Sequence, residues 1–165
     1  PSADRTASSA DNDTSFYATN MTPQRQSLNG GAWYKLENLS RTQWMCSDTL
    51  YVVTGAMFED GYATAYDNKS RGKCVPVPTK YWKVLLRTRD GNTGRNVAEC
   101  SASELQCIGF VLDHNDSRSS QKVYTTDARS VEQMEELTGF TFFPNVPNAP
   151  KDVCDTSLWS GLTAQ

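Results

Sequence analysis

The chain has 165 residues, a length suited to one domain with a single core over residues 1–165. Its apolar fraction of 38% and charged fraction of 21% are those of a globular protein, and no run is long and apolar enough to cross a membrane as a helix. A net charge of -3 argues, on composition alone, against a nucleic-acid binder; only a local cluster of Arg and Lys on an acidic body reconciles the two.

The opening Pro1-Ser2-Ala3-Asp4-Arg5 is polar and shows no apolar signal-peptide core, a property that a mature or truncated product shares. Residues 1–13 read as loop and residues 16–20 as a short extended piece leading into Thr22-Pro23. A helix is predicted over about residues 28–45, with Ala32, Leu36 and Leu39 on its buried side and Trp33 at the edge. Residues 50–55 read as a strand, and residues 60–73 as a hairpin or surface loop. In Val75-Pro76-Val77-Pro78 the prolines prevent continuous ladder pairing.

Residues 81–87 form the next predicted strand. Residues 107–112 form a third, apolar on both faces and therefore central. Residues 122–125 read as an edge strand. Ser130 and Gln133 make a capping box for a helix with the buried stripe Val131, Met134 and Leu137, ended by Gly139. Residues 140–144 pack back toward the sheet. From residue 145 the chain is loop-like, anchored by Leu158 and Trp159.

The five cysteines, Cys46, Cys74, Cys100, Cys107 and Cys154, contain no C-x-x-C pair, so neither a zinc knuckle nor a redox motif is indicated. Cys46 and Cys74 precede strand-like runs and suit a bridge between strand ends. Cys100 and Cys107 suit a short closed loop, and free buried thiols are the alternative.

The unusual polar set lies on the first helix. With Asn29 at zero, Trp33, Glu37 and Arg41 fall about 40°, 80° and 120° round the helix, beside the core arc. The Asn29 oxygen is a hard, neutral ligand suited to Mg²⁺, which keeps most of its waters. Glu37 is placed to orient those waters, and Arg41 to grip a phosphate oxygen. Arg25, Lys35 and Arg41 supply local positive charge for a nucleic acid. Gly30 and Gly31 are poor helix formers, so something is expected to approach the backbone closely there; an anion at a helix start is one such visitor. The plainer alternative is a helix-capping Asn and a surface Glu–Arg pair.

Asn20-Met21-Thr22-Pro23-Gln24 followed by Leu28-Asn29, Ala32-Trp33 and Leu36-Glu37 closely resembles the signature block of the DNA/RNA non-specific endonucleases, a family that includes secreted bacterial nucleases and mitochondrial endonuclease G. The resemblance continues through Val53-Thr54-Gly55, Val77-Pro78, Tyr81-Trp82-Lys83-Val84, the Phe110 strand, Glu136-Leu137-Thr138-Gly139 and Phe143-Pro144. It implies an α+β fold of the ββα-metal (His-Me finger) type, with a mostly antiparallel sheet flanked by helices. It implies Asn29 as the single protein ligand to Mg²⁺, which Mn²⁺ can replace, with Glu37 holding metal-bound waters and Arg41 and Asn20 at the phosphate. The implied activity is hydrolysis of DNA and RNA to 5′-phosphorylated products, in a secreted or periplasmic setting, with a homodimer left open.

The sequence departs from the family at the general base. No Asp-Arg-Gly-His occurs in it, and the resemblance places that histidine three residues before Pro1, on a segment expected to carry further strands as a separate or disordered piece. The single histidine, His114, falls in a surface loop and is not expected to be catalytic. A non-catalytic binding module on a nuclease fold, and a plain structural protein, are the competing readings.

Overall fold

The computed structural model describes residues 21–66 and 74–165. Its strands are β1 (Tyr51–Met57), β2 (Thr64–Tyr66), β3 (Cys74–Pro76), β4 (Lys80–Thr88), β5 (Leu105–Asp113) and β6 (Ala128–Arg129). Four of them form an antiparallel sheet in the order β1-β4-β5-β6, and β2 and β3 form a separate hairpin. Strand β5 is interior, as its continuous apolar run requires. Ile108, Phe110 and Leu112 enter one core; Leu105 and Cys107 enter the other.

The first core is covered by a helical stretch in three parts: α1 (Gln26–Leu28), a π-type segment (Asn29–Trp33) and α2 (Tyr34–Arg41). Leu28, Ala32, Leu36 and Leu39 are fully buried against the sheet, each larger side chain contributing about 1.5–3 kcal/mol. The second core is covered by α3 (Val131–Thr138) and the segment after it. Ser130 and Gln133 form the expected capping box, and Gly139 ends α3 in the left-handed conformation at φ 72°, where a side chain is disfavoured.

Several expectations need correction. The first helix stops at Arg41, because Thr42 leaves helical dihedrals and the Trp44 amide turns back to the Leu39 carbonyl (3.0 Å). Trp44 thereby enters the core, stacked on Phe110 (5.4 Å) and edge-on to Trp159 (5.2 Å). Residues 122–125 make only a single parallel bridge, Tyr124 to Thr163, and the sheet edge is β6. Leu137 is 44% exposed; Phe142, packed against Trp82 at 5.4 Å, covers that part of the sheet instead. The Val75-Pro76 segment pairs with β2 over three residues and its ladder stops at Pro76, so pairing is not continuous through Val77-Pro78, as expected.

Neither suggested disulfide forms. Cys46, Cys100, Cys107 and Cys154 are free thiols. Burial pushes the Cys107 thiol up to about 12, so at neutral pH it carries its proton and is a poor nucleophile. Iodoacetamide at neutral pH is therefore expected to leave Cys107 unmodified in the native protein and to label it after unfolding, as read by peptide mass spectrometry. Native labelling at Cys107 contradicts this packing.

Asp48 ties two loops together. Its carboxylate accepts from the Thr88 hydroxyl (2.5 Å), the Thr93 amide (2.9 Å) and hydroxyl (2.8 Å), and the Gly94 amide (2.8 Å). These donors, the Thr88 hydroxyl foremost, hold the carboxyl well below the usual carboxylate range. A depressed carboxylate contributes stability that is fully present above its unfolded value of about 3.9 and is lost as pH falls below it. Asp48→Asn is expected to lower the melting temperature at neutral pH and to flatten its fall below about pH 4. Parallel acid limbs for variant and parent sink the assignment.

Candidate metal and nucleic-acid site

The site is built where α1 passes into α2. The wheel drawn from the sequence assumed one unbroken helix, but the dihedrals at Gly31 (φ -100°, ψ -116°) break it. A Cβ at Gly31 would lie 2.1 Å from the Arg118 carbonyl oxygen and 2.8 Å from the Ser119 Cα. The close approach expected at this glycine is real, and the visitor is the chain's own 118–119 backbone. That loop is fixed in turn: the Arg118 guanidinium pairs with Asp127 (2.7 Å), both largely buried. Gln121 donates to the Gly30 carbonyl (3.2 Å), and Ser27 to Asp116 (2.7 Å).

Asn29 is not a helix N-cap. Its backbone is helical (φ -59°, ψ -45°), and its amide donates to the Arg25 carbonyl (2.9 Å). Its side chain is exposed, and among the described residues none bonds to it. The capping alternative therefore fails at this position, and the amide oxygen is available to a ligand. On α2, Glu37 and Arg41 are partly exposed and lie 3.7 Å apart. Arg41 also directs its Nε to the Glu37 carbonyl (3.4 Å). Trp33, 6% exposed, is part of the core rather than its edge.

The basic residues are not equivalent. The Arg25 guanidinium is held by Asp116 at 3.1 Å. Lys35 stands about 200° round the helix from Glu37 and belongs to a different face. Of the three, Arg41 stands beside Glu37. Asn20 lies outside the described residues.

Lys83 was not legible as part of this region. It is 5% exposed, its ammonium lies 4.8 Å from the Trp33 ring centroid, and it donates to the Thr54 hydroxyl (2.8 Å). It places a buried ammonium against Trp33, which lies midway between Asn29 and Glu37 in the sequence. A single charge inside the apolar run Tyr81-Trp82-Lys83-Val84-Leu85 was the signal available.

A hard cation fits this donor set through Asn29 and water. Glu37 lies on α2, beyond the Gly31 kink from Asn29, and suits the metal's waters rather than the ion itself. Among the described residues no three His, Cys, Asp or Glu side chains cluster as a cage.

Residues 1–149 match the profile of the DNA/RNA non-specific endonucleases, and the chain belongs to that family. It is 31% identical over 150 residues to a nuclease of Nostoc sp. (strain PCC 7120 / SAG 25.82 / UTEX 2576), covering 90% of this chain and 50% of that protein. It is 28% identical to bovine (Bos taurus) mitochondrial endonuclease G, covering 81% of this chain and 42% of that protein. The chain spans about half the length of the curated relatives it matches. A chain of the solved EndoG/EndoGI complex superposes with a TM-score of 0.54 at 24% identity, over 81% of this chain and 52% of that one. At that identity the likeness speaks for the fold alone.

Proposed function

We propose that this chain carries the metal and phosphate half of a ββα-metal nuclease that hydrolyses phosphodiester bonds in DNA and RNA. The observation that carries the reading is the exposed Asn29 amide, unbonded among the described residues, on a backbone locked by the Gly31 kink. Family membership supplies the reaction class. Asn29 would hold Mg²⁺ or Mn²⁺, with Glu37 fixing its waters; when bound, the ion supplies Lewis-acid stabilisation of charge on the phosphate. Arg41, beside Glu37, would grip a phosphate oxygen, and the buried Lys83 ammonium would add to the positive field.

Proton abstraction from the attacking water needs a general base. His114 does not provide it, because both of its ring nitrogens are engaged within the fold. It is the single histidine of the sequence, so the base would come from outside these 165 residues. A base typically contributes about 10²- to 10⁴-fold.

The test is cleavage of supercoiled DNA and of RNA with Mg²⁺ or with EDTA, using the complete protein. Mg²⁺-dependent fragments whose 5′ ends need dephosphorylation before a kinase will label them support the proposal. The engaged state of His114 favours one second reading, a binding module without chemistry. That module predicts Mg²⁺-dependent retention of DNA with no cleavage at all.

A further inference from the structure

We propose that His114 is a positioning residue for Asn29: its imidazole holds the Arg25 amide, and the carbonyl of the same residue holds the Asn29 amide, so that the ring fixes the turn of helix that carries the candidate metal ligand. The metal part of this inference rests on the proposed function above; the clasp itself does not.

The geometry assigns the tautomer. The Arg25 amide donates to His114 Nε2 at 2.6 Å. A peptide N–H has only a donor to offer, so Nε2 is the acceptor and the ring proton sits on Nδ1. Nδ1–H then donates to the Pro78 carbonyl, also at 2.6 Å. The same Arg25 residue accepts from the Asn29 amide through its carbonyl (2.9 Å). The imidazole thus reaches the Asn29 amide through the two peptide groups that flank the Arg25 Cα, from the end of the sheet to the candidate ligand.

The neighbours reinforce the clasp. Tyr81 meets the His114 ring edge-on at 5.3 Å. Its hydroxyl donates to the Pro23 carbonyl (2.9 Å) and bonds the Thr22 hydroxyl (2.7 Å). Burial pushes the Tyr81 phenol up, so it remains neutral. Among the described residues, the charged groups around His114 are the Arg25 guanidinium with its partner Asp116, Asp113 on its own segment, and Lys80 on β4, which is paired with Glu59. None of these can replace the acceptor that Nε2 provides.

The full chain tests this directly, because its one histidine needs no assignment. Long-range ¹⁵N–¹H spectra near pH 8 are expected to show a protonated Nδ1 and a bare Nε2. His114→Ala, which removes the acceptor, is expected to move the Arg25 and Asn29 amide signals and to lower Mn²⁺ affinity, read by electron paramagnetic resonance, about 3- to 10-fold. His114→Gln, which keeps an acceptor, should restore most of both. A proton on Nε2 near pH 8, or Arg25 and Asn29 amides that His114→Ala leaves in place, overturns the clasp. If His114→Ala does not fold, the ring tautomer of the parent chain decides alone. Absence of Mn²⁺ binding by the parent refutes the ligand role of Asn29, and the amides still decide the clasp.

Discussion

Asn29→Ala is expected to remove divalent-cation binding from the chain and to lower metal-dependent cleavage by the complete protein by about 10³-fold or more. The substitution deletes one exposed amide, so stability should hardly change. Asn29 is not a cap, and its peptide already has its partner in the Arg25 carbonyl at 2.9 Å. Truncation leaves no buried group unsatisfied, and no cavity opens. On the proposed reading the cation's other ligands are waters, so the variant removes its protein anchor, and Glu37, beyond the Gly31 kink, is left to hold waters alone. Isothermal titration with Mn²⁺ and a plasmid assay would read the two effects separately. Near-parental cleavage by the variant removes Asn29 from the mechanism.

Gly31→Ala is expected to cost about 1–3 kcal/mol and to disturb the site at once. Its Cβ would stand 2.1 Å from the Arg118 carbonyl oxygen, with Ser119 backbone atoms at 2.7 and 2.8 Å. Backbone cannot swing aside as a side-chain end can. The loop that offers those atoms is held by the Arg118–Asp127 pair. Relief must come from the helical stretch, and Asn29 lies two residues away. Gly30→Ala is the internal control, since its Cβ would meet only the Gln26 side-chain end at 3.2 Å. There the gain in helix propensity, up to about 1 kcal/mol, offsets the contact. Urea unfolding of the two variants should therefore differ clearly. Equal midpoints would contradict the close approach seen at Gly31.

The parts legible in the sequence were those set by local pattern. The two-faced run at 107–112 became the interior strand β5, and the Ser130–Gln133 box and Gly139 bracketed α3 as read. Ala32, Leu36 and Leu39 reached the core as their spacing required. What escaped was set by contacts distant in sequence. The kink at Gly31 is imposed by a loop almost ninety residues away, so a wheel of constant pitch misplaces Asn29 relative to Glu37 and leaves Trp33 at the edge of the core it enters. His114 read as a loop histidine; its role is defined by Arg25 and Pro78, neither near it in sequence. Lys83 sits in a strand whose pattern tolerates one charge, and only its position under Trp33 shows that the charge is buried.

The most direct test of the central claim is a crystal of the chain soaked in Mn²⁺ and measured for anomalous scattering. The account predicts a single strong peak about 2–2.5 Å from the Asn29 side-chain oxygen, with water completing its shell. A well-ordered Asn29 with no peak beside it, or a peak bound elsewhere on the chain, would contradict it.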